Sequence, residues 1–365
     1  MISPRRNSRS ISLGQVKIGG MAPITVQTMT KTDTRDIEAT IDEIKRLASA
    51  GCDIIRSAVP DIQAAQALKS ICTAIPIPLI ADIHFDHHLA LEAIKSGVHG
   101  LRLNPGNIRS EEKVKEVVAA AKDRQIPIRV GVNAGSLDPE IKQRYGGVTA
   151  QGLAESALNE VKRLEKYGFE HIKIAVKSFD LFTMTEAVKI VANACPYPLH
   201  LGVTESGLPD EGIVRSSIGI GALLMQGIGD TIRVSLTGDS ADEIITGIRI
   251  LKTLGLRESG PVIVSCPTCG RCQIPLQEIA REVSRRLSRF SEPIHVAVMG
   301  CGVNGPGEAQ QADFGIAGGR ETGLIFKKGK IVATLPAEQL VDGLIREIEK
   351  CFADRETGGK RNEKI

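Results

Sequence analysis

Four of the eight cysteines in this 365-residue chain lie close together, and their spacing is suited to binding a metal. Cys266 and Cys269 form a CxxC sequence, and Cys272 follows at the same interval. Cys301 lies in a glycine-rich segment that ends at Glu308. Clustered thiols in a long chain of cytosolic type indicate a metal site rather than a disulfide. The nearby glycines allow backbone amides to approach the sulfurs of such a site.

Two kinds of metal centre compete for these ligands. A structural zinc site requires four protein ligands, but the sequence offers neither a second CxxC nor a nearby pair of histidines. An iron–sulfur cluster accepts three thiolates with a different fourth ligand, so the pattern favours iron–sulfur. From spacing alone, the fourth ligand is either Cys272 or Glu308. A carboxylate is harder and more easily displaced than a thiolate, and it would free one iron to meet a substrate oxygen.

Cationic residues form a second group, because five β-branched runs in the first part of the chain each end near one. Like charges gathered on one surface repel, so they predict an anionic ligand, and arginine pairs bidentately with phosphate. Pairing of every cation with a neighbouring acid is the less favoured alternative. Asp82 and Glu205 lie at two such ends and are suited to orienting hydroxyls or moving protons. The cations are Arg56, Arg102, Arg129, Lys177 and Arg233, and the same ends present His84, Asn104, Asn133, Thr204 and Ser235.

The elements that position these residues form a regular alternation of strands and helices. Eight βα units in about 250 residues are the size and order of a (β/α)8 barrel, in which catalytic groups lie at the C-terminal strand ends. A doubly wound sheet is not favoured, since no GxGxxG follows the first strand and no Walker sequence occurs. The sequence pattern of residues 11–19 predicts a hairpin that plugs the closed end of the barrel. The predicted strands are 24–27, 53–57, 78–83, 100–103, 127–132, 171–176, 199–203 and 231–235.

The pattern changes after a predicted linker at residues 256–260. The predicted fold is therefore α/β, with a TIM barrel over residues 1–255 followed by a smaller α+β iron–sulfur domain over 261–352. A charged tail over 353–365 is predicted to be disordered. In the second domain the predicted strands are 262–265, 295–299 and 313–317, the helices 277–289 and 340–352, and a hairpin turns at 328–329.

The composition of the chain disfavours two classes of protein, those that bind nucleic acids and those that span a membrane. The formal net charge is only +3, and aromatic residues make up 3% of the chain without any tryptophan, which disfavours nucleic-acid binding. No apolar window approaches the ~18 residues of a membrane span. We therefore predict a cytoplasmic protein that acts on a small molecule.

Sequence motifs in both predicted domains resemble one family, the 4-hydroxy-3-methylbut-2-enyl diphosphate synthases of the methylerythritol phosphate route to isoprenoids. The resemblance covers about residues 10–350, and the chain lacks the large middle insertion of plant-type members, so it is similar to the shorter bacterial form. The motifs are CPTCGR at 266–271 and GCGVNGPGE at 300–308 in the second domain, with VQTMT at 26–30, ADIHF at 81–85, LRLNPGN at 101–107, IRVGVN at 128–133, HLGVTE at 200–205 and GDTIRVSLT at 229–237 in the barrel.

The resemblance implies a reaction and a cofactor. Two electrons would open the ring of 2-C-methyl-D-erythritol 2,4-cyclodiphosphate and remove a hydroxyl as water, giving (E)-4-hydroxy-3-methylbut-2-enyl diphosphate. A [4Fe-4S] cluster would deliver the electrons and bind the reaction intermediate through its unique iron. The family pattern implies the cluster ligands Cys266, Cys269, Cys301 and Glu308, and does not require Cys272.

The resemblance also implies roles for the barrel residues and for partners. Glu205 is the candidate proton donor to the departing hydroxyl. Flavodoxin or ferredoxin would supply electrons, and in a homodimer the cluster domain of one subunit would cap the barrel of the other. The substrate-binding residues would be Arg56, Arg102, Asn104, Arg129, Asn133, Lys177, Arg233 and Ser235, with Asp82 and His84 beside them.

Two other classes remain as alternatives. A barrel transferase of the dihydropteroate-synthase type, with a structural zinc module, would be colourless and contain zinc. A non-enzymatic iron–sulfur sensor or carrier would have no need of the cationic pocket.

Overall fold

The computed structural model describes residues 3–84, 86–103, 108, 110–302, 307 and 310–358. Two of the predicted site residues, Asn104 and Glu308, lie outside these ranges. The chain divides into two compact units, Met1–Arg257 and Glu258–Ile365, and this boundary falls inside the predicted linker. Each unit is described by itself.

The first unit is a (β/α)8 barrel, as the sequence predicted. Its eight parallel strands are hydrogen-bonded in the order β8-β7-β6-β5-β4-β3-β10-β9. A bridge between Ile174 and Leu199 joins the two ends of this order and closes the barrel. The strands are β3 (Thr25–Met29), β4 (Ile54–Ala58), β5 (Leu79–Asp82), β6 (Gly100–Leu103), β7 (Ile128–Asn133), β8 (Ile172–Lys177), β9 (His200–Leu201) and β10 (Thr231–Ile232), preceded by the hairpin strands β1 (Ile11–Leu13) and β2 (Val16–Ile18).

The last two barrel strands are shorter than predicted. Residues 202–203 and 233–235 leave the regular ladder, although the Arg233 N–H still donates to the Leu201 carbonyl at 2.9 Å. The backbones of these two segments approach each other closely, since a Cβ on Gly202 would lie 2.6 Å from the Arg233 carbonyl oxygen. Only glycine permits this approach.

Helices cover the outside of the barrel and begin where the loops supply a cap. Aspartate carboxylates accept first-turn N–H groups at six of them, for example Asp36 from Ala39 and Asp180 from Thr183. The longer connection over residues 134–149, between β7 and the next long helix, contains a 3-10 turn (Ala134–Ser136) and a short α-helix. The helices are α1 (Ile37–Ser49), α2 (Ile62–Ala74), α3 (His87–Lys95), α4 (Glu111–Asp123), α5 (Pro139–Arg144), α6 (Ala150–Glu165), α7 (Leu181–Ala194), α8 (Pro209–Leu224) and α9 (Ser240–Thr253).

The β1–β2 hairpin plugs the N-terminal end of the barrel, as predicted. Its apolar residues, including Leu13, form a cluster with Ile54 and Ile80 from the starts of two strands. A Cβ on Gly100 would lie 2.5 Å from Leu13 Cδ1, so this glycine makes room for the plug. The closed end is therefore apolar, and the polar interior opens towards the C-terminal strand ends.

The second unit is a five-stranded mixed sheet with two helices. Strands β11, β12 and β13 are parallel, and β14 and β15 continue the sheet antiparallel, with the predicted turn at Lys328 and Gly329. The closing helix continues to Gly358, beyond its predicted end at Phe352, which corrects the predicted tail over 353–358 because Ala, Arg and Glu favour helix. The elements are β11 (Val262–Ser265), α10 (Leu276–Leu287), β12 (His295–Met299), β13 (Phe314–Ala317), β14 (Thr322–Lys327), β15 (Lys330–Pro336) and α11 (Leu340–Gly358).

Candidate functional site

A row of charged side chains crosses the inside of the barrel. Asp82, Arg102, Arg129 and Lys173 are in register on the four adjacent strands β5 to β8. Residues in register on parallel strands point to the same side, and all four are at most 8% exposed. Barrel interiors are ordinarily filled by branched apolar residues, so this interior is built for charge.

Three more of the predicted cations join this row. Arg56 and Lys177 are buried, and the Arg233 side chain is 16% exposed. Two glycines leave space for the long side chains. A Cβ on Gly131 would lie 3.2 Å from Arg102 Nε, and one on Gly202 would lie 3.3 Å from Lys177 Nζ. All five predicted cations therefore lie in one interior, as the sequence predicted from their positions on separate strands.

Only part of this positive charge is balanced by acids among the residues that the structure describes. Asp82 accepts a hydrogen bond from Arg102 at 3.1 Å and forms a looser pair with Arg56 at 3.7 Å. The buried Glu243 carboxylate, from helix α9, lies 3.5 Å from Arg233 Nε. It also accepts from the Leu236 N–H at 3.0 Å, so it holds the β10 end in place.

Several buried donors in the interior have no hydrogen-bond partner within the described part of the chain. They include the Nε atoms of four arginines and the ammonium nitrogen of Lys173. A buried donor left unsatisfied costs about 1–3 kcal/mol. Several such groups in one space are best explained by a ligand with many acceptor oxygens. The arginines are Arg56, Arg102, Arg129 and Arg233.

Burial and the repulsion between like charges shift the pKa values of these side chains. Burial lowers the pKa of Arg56 to about 9, although Asp82 opposes this, and it lowers the pKa of Lys173 to about 7. Burial and the charge of Arg129 hold the pKa of Lys177 well below its ordinary value. Burial would raise the pKa of Asp82, but the charges of Arg56 and Arg102 outweigh it and hold that pKa below its ordinary value. An incoming anion would relieve this repulsion.

The polar residues at the C-terminal mouth of the barrel surround a cavity of about 250 Å³. Asn133, Thr204 and Glu205 line it together with Ser136 and Phe179. Glu205 has φ 57°, in the left-handed region that is uncommon for residues other than glycine. Such local strain concentrates at functional sites. The exposed Glu205 carboxylate is therefore held in a defined place next to Asn133.

Two further predicted residues lie close to the same mouth. His84 is exposed, and its charge contributes to lowering the pKa of Asp82. Ser235 is half-buried and lies two residues after Arg233, beyond the end of β10. The structure thus brings the predicted cations and Asp82 into one interior, with Asn133, Thr204 and Glu205 around the cavity at its mouth.

Sequence reasoning missed three buried polar residues of this interior. Lys173 lies four residues before Lys177 on β8, so both side chains are on the same face of the strand. It was not predicted because it lies deeper in the barrel than the strand ends, where functional residues are expected. His200 Nδ1 lies 2.7 Å from Thr231 Oγ1, and this pair lies deep in the barrel. Glu243 lies on a helix, where no strand-end pattern could indicate it.

The predicted cysteine ligands come from adjacent strand ends of the second unit. Ser265 and Val298 are in register on the parallel strands β11 and β12, so Cys266 and Cys301 follow at the same sheet edge. The Gly300 N–H donates to Cys266 Sγ at 3.3 Å. Backbone N–H groups that donate to sulfur are a feature of iron–sulfur sites. Cys269 is exposed on the loop between them.

Cys272 is oriented differently from the other thiols. Its Sγ donates to the Ile274 carbonyl at 3.2 Å. It also lies against Gly300, where a Cβ would come within 2.6 Å of the sulfur. The Cys272 thiol thus has a protein partner of its own.

The fold and the two groups of residues define a class: a barrel with a cation-lined interior, followed by a separate unit that presents thiols at a sheet edge. This chain belongs to the GcpE family. The family model for the GcpE TIM-barrel domain matches residues 8–248, and that for the GcpE protein C-terminal domain matches residues 262–350.

Characterised relatives match over almost the whole chain. A protein of Geobacter sulfurreducens is 53% identical over 351 residues, which cover 96% of this chain and 99% of the relative. One of Clostridium tetani is 56% identical over 345 residues, covering 94% of this chain and 99% of the relative. Both are named 4-hydroxy-3-methylbut-2-en-1-yl diphosphate synthase (flavodoxin).

The fold is also seen in solved structures with little sequence similarity. The 3-dehydroquinate dehydratase of Geobacillus kaustophilus superposes with a TM-score of 0.50 at 13% identity, covering 68% of this chain and 98% of that protein. This likeness concerns the barrel fold alone. Within the described residues, no helix has the length and apolar character to cross a membrane.

Proposed function

We propose that this protein converts 2-C-methyl-D-erythritol 2,4-cyclodiphosphate into (E)-4-hydroxy-3-methylbut-2-enyl diphosphate, a step in isoprenoid precursor biosynthesis. Relatives at 53% and 56% identity, aligned over nearly their full lengths, carry the name of this synthase. The observation that carries the proposal is the buried group of cations with unpartnered donors inside the barrel. A small diphosphate supplies the oxygens that these donors lack.

The reaction consumes two electrons and one proton. The ring carbon–oxygen bond to one phosphate breaks, the hydroxyl on the adjacent carbon leaves and takes up the proton to give water, and the two electrons form the carbon–carbon double bond between these carbons. The diphosphate becomes linear and gains an ionised oxygen. A site that is already rich in positive charge favours this change, because it stabilises the charge that develops.

The cationic residues would bind the diphosphate from several sides at once. Arg129 and Lys177 lie on adjacent strands and offer donors to different oxygens. Asp82 is ionised by its arginine neighbours and would accept a hydrogen bond from a substrate hydroxyl. The proposed binding residues are Arg56, Arg102, Asn104, Arg129, Asn133, Lys177, Arg233 and Ser235, of which Asn104 lies outside the described ranges.

Glu205 is the proposed proton donor to the departing hydroxyl. Its carboxyl group borders the cavity at the mouth, next to Asn133, rather than the diphosphate site below. This places an acid near the carbon end of a substrate whose phosphates bind deeper. His84 and Asp82 are the other candidates for moving protons in the same region.

We further propose that Cys266, Cys269, Cys301 and Glu308 hold a [4Fe-4S] cluster. The N–H group of Gly300 on Cys266 Sγ and the shared sheet edge of Cys266 and Cys301 fit such a cofactor. When bound, it supplies electrons one at a time and a Lewis-acidic iron at the corner not held by thiolate. The motif of the family, which does not require Cys272, is the reason for preferring Glu308 as the fourth ligand. The Cys272 thiol donates instead to the Ile274 carbonyl.

The ligand types also favour iron–sulfur over structural zinc. A structural zinc site takes four protein ligands, and the sequence offers neither a second CxxC nor a pair of histidines near the cysteines. A separate group of potential metal ligands, Asp86, His87 and His88, lies in the barrel unit. There Asp86 caps helix α3 and His87 pairs with Glu116 at 3.6 Å.

The partners follow from the same proposal. The names of the relatives point to flavodoxin as the electron donor, and ferredoxin is the alternative. A cytoplasmic homodimer, in which one subunit's cluster unit reaches the other's barrel, is the arrangement that we propose for excluding water from the reduced substrate.

An anaerobic assay tests the proposal directly. Protein purified under argon and reconstituted with iron and sulfide should be brown and bleach in air. With the cyclodiphosphate and dithionite it should form the linear diphosphate product. Colourless protein with stoichiometric zinc would support the transferase alternative, and a cluster without product formation would support the redox carrier.

A further inference from the structure

Lys173 is the buried cation that the proposed function does not use. Its side chain is 2% exposed, and it lies on β8 opposite Arg129 on β7. Its Nζ has no hydrogen-bond partner within the described ranges. A buried ammonium without a partner ordinarily loses its proton rather than remaining charged.

The groups that face Lys173 are mostly cationic or neutral. Arg129 and Arg56 repel a charge at this position, and Asp230 is the acid that attracts one. Asp230 is itself bound to Ser8, Arg5 and the Leu199 N–H. Its carboxylate is therefore already shared, and Lys173 lacks a close counter-ion.

The neighbouring strand contributes a second buried group without a charge partner. His200 on β9 lies deep in the barrel, and the charges of Arg129, Lys177, Lys173 and Arg56 act on it. Burial and these charges hold the pKa of His200 well below its ordinary value. The imidazole is thus neutral and provides no compensation for a charged lysine.

We propose that Lys173 is a proton-linked positioning residue: it is neutral in the ligand-free barrel and takes up a proton when the anionic substrate binds. The negative charge of the diphosphate replaces the missing counter-ion, so the ammonium becomes the favoured form. The added charge then lies below the diphosphate, where it stabilises the oxygen that ionises on ring opening. This inference rests on the proposed function.

The lowered pKa of the buried Lys173 sets the pH range in which proton uptake is expected. Because the pKa of Lys173 is lowered to about 7, most of the ligand-free protein lacks this proton at pH 8. Arg56, whose pKa is lowered to about 9, is still mostly protonated there. We expect Lys173 to contribute close to one proton per bound substrate at pH 8 and much less at pH 6. Lys177, whose pKa is also held below its ordinary value by burial and by Arg129, adds its own contribution to the total.

Calorimetry in buffers of different ionisation enthalpy measures this number. The cluster-loaded enzyme is titrated anaerobically with the cyclodiphosphate and without reductant, so that binding occurs without turnover. Each phosphate of this ligand carries a single strongly acidic oxygen, so the ligand itself takes up no proton near neutral pH. Binding at pH 8 without proton uptake would overturn the inference while leaving the proposed function standing, whereas absence of binding would contradict the proposed function.

Variants assign the proton to its residue. Lys173→Arg should take up about one proton less per bound substrate at pH 8 than the natural protein, because an arginine is mostly protonated at this pH with and without the substrate. His200→Gln should keep the uptake, as should Lys115→Met, which removes an exposed lysine of helix α4. Loss of uptake in His200→Gln together with its retention in Lys173→Arg would show that the histidine is the acceptor and overturn the role of Lys173.

Discussion

Arg129 and Lys173 lie opposite each other on neighbouring strands of the barrel, and both are almost completely buried. No hydrogen bond to Arg129 Nε or Lys173 Nζ is found among the described residues. The charge of Arg129 therefore disfavours a second charge on Lys173 in the ligand-free barrel. The presence of both residues in the interior is accounted for by a ligand that brings negative charge to them.

Arg129→Ala should abolish most of the turnover while leaving the cluster spectrum unchanged. A hydrogen bond between charged groups in a buried site is worth about 1.5–3 kcal/mol, so we expect a loss of roughly 10- to 100-fold in kcat/KM. Steady-state assays with dithionite measure it. Arg249→Ala, on the exposed face of α9, is the matched control and should retain activity. Full turnover after removal of both Arg129 and Arg233 would contradict the barrel site.

Gly131→Ala should weaken substrate binding with little effect on stability. The three heavy atoms nearest to the new Cβ would all belong to Arg102, with Nε at 3.2 Å. The guanidinium must shift by a few tenths of an ångström, so we expect KM to rise about tenfold. Gly221→Ala on helix α8 is the control, because nothing lies within 4 Å of its added Cβ. An unchanged KM would show that the position of Arg102 is not critical.

Much of the fold was predictable because the hydrophobic pattern and the helix-capping residues indicate the same strands and helices. β-branched runs alternate with amphipathic segments, and the loops end in aspartates that cap the helices. The cations at strand ends could be found because barrel geometry brings those ends together. The shortening of β9 and β10 could not be predicted, since it depends on the close crossing of Gly202 and Arg233.

The missed residues share a physical cause. Lys173 and His200 lie deep in the barrel, where the usual expectation is an apolar side chain. Glu243 reaches the interior from a helix, and its partners Arg233 and Thr28 lie on other elements. Such long-range pairs have no local sequence signal.

Substitutions at the cysteine loops should separate the two candidate fourth ligands. Cys272→Ser should be nearly silent, because a hydroxyl can also donate to the Ile274 carbonyl that now accepts from the thiol. Glu308→Gln should reduce turnover or the stability of the cluster. Iron content and the visible spectrum of the anaerobic protein measure both. The reverse pattern would make Cys272 the ligand.

Lys173→Met should stabilise the ligand-free barrel, and the gain should depend on pH. The pKa of Lys173 is lowered from 10.5 to about 7 by burial and by Arg129. Between these values the unfolded chain binds a proton that the folded barrel does not, so the stability of the natural protein rises with pH. Below pH 7 both states are protonated, and the full cost of the buried charge remains.

The stabilisation by Lys173→Met should therefore be greatest at pH 6–7 and disappear as the pH approaches 10.5. Each pKa unit corresponds to about 1.4 kcal/mol, so lowering the pKa from 10.5 to about 7 implies a gain of roughly 4–5 kcal/mol at neutral pH. The two units of the chain need not unfold together, so hydrogen exchange of barrel amides is the appropriate measurement. A gain that is the same at pH 6 and pH 10 would mean that only the side-chain shape matters. A loss at pH 6 would mean that the ammonium has a favourable partner in the ligand-free barrel.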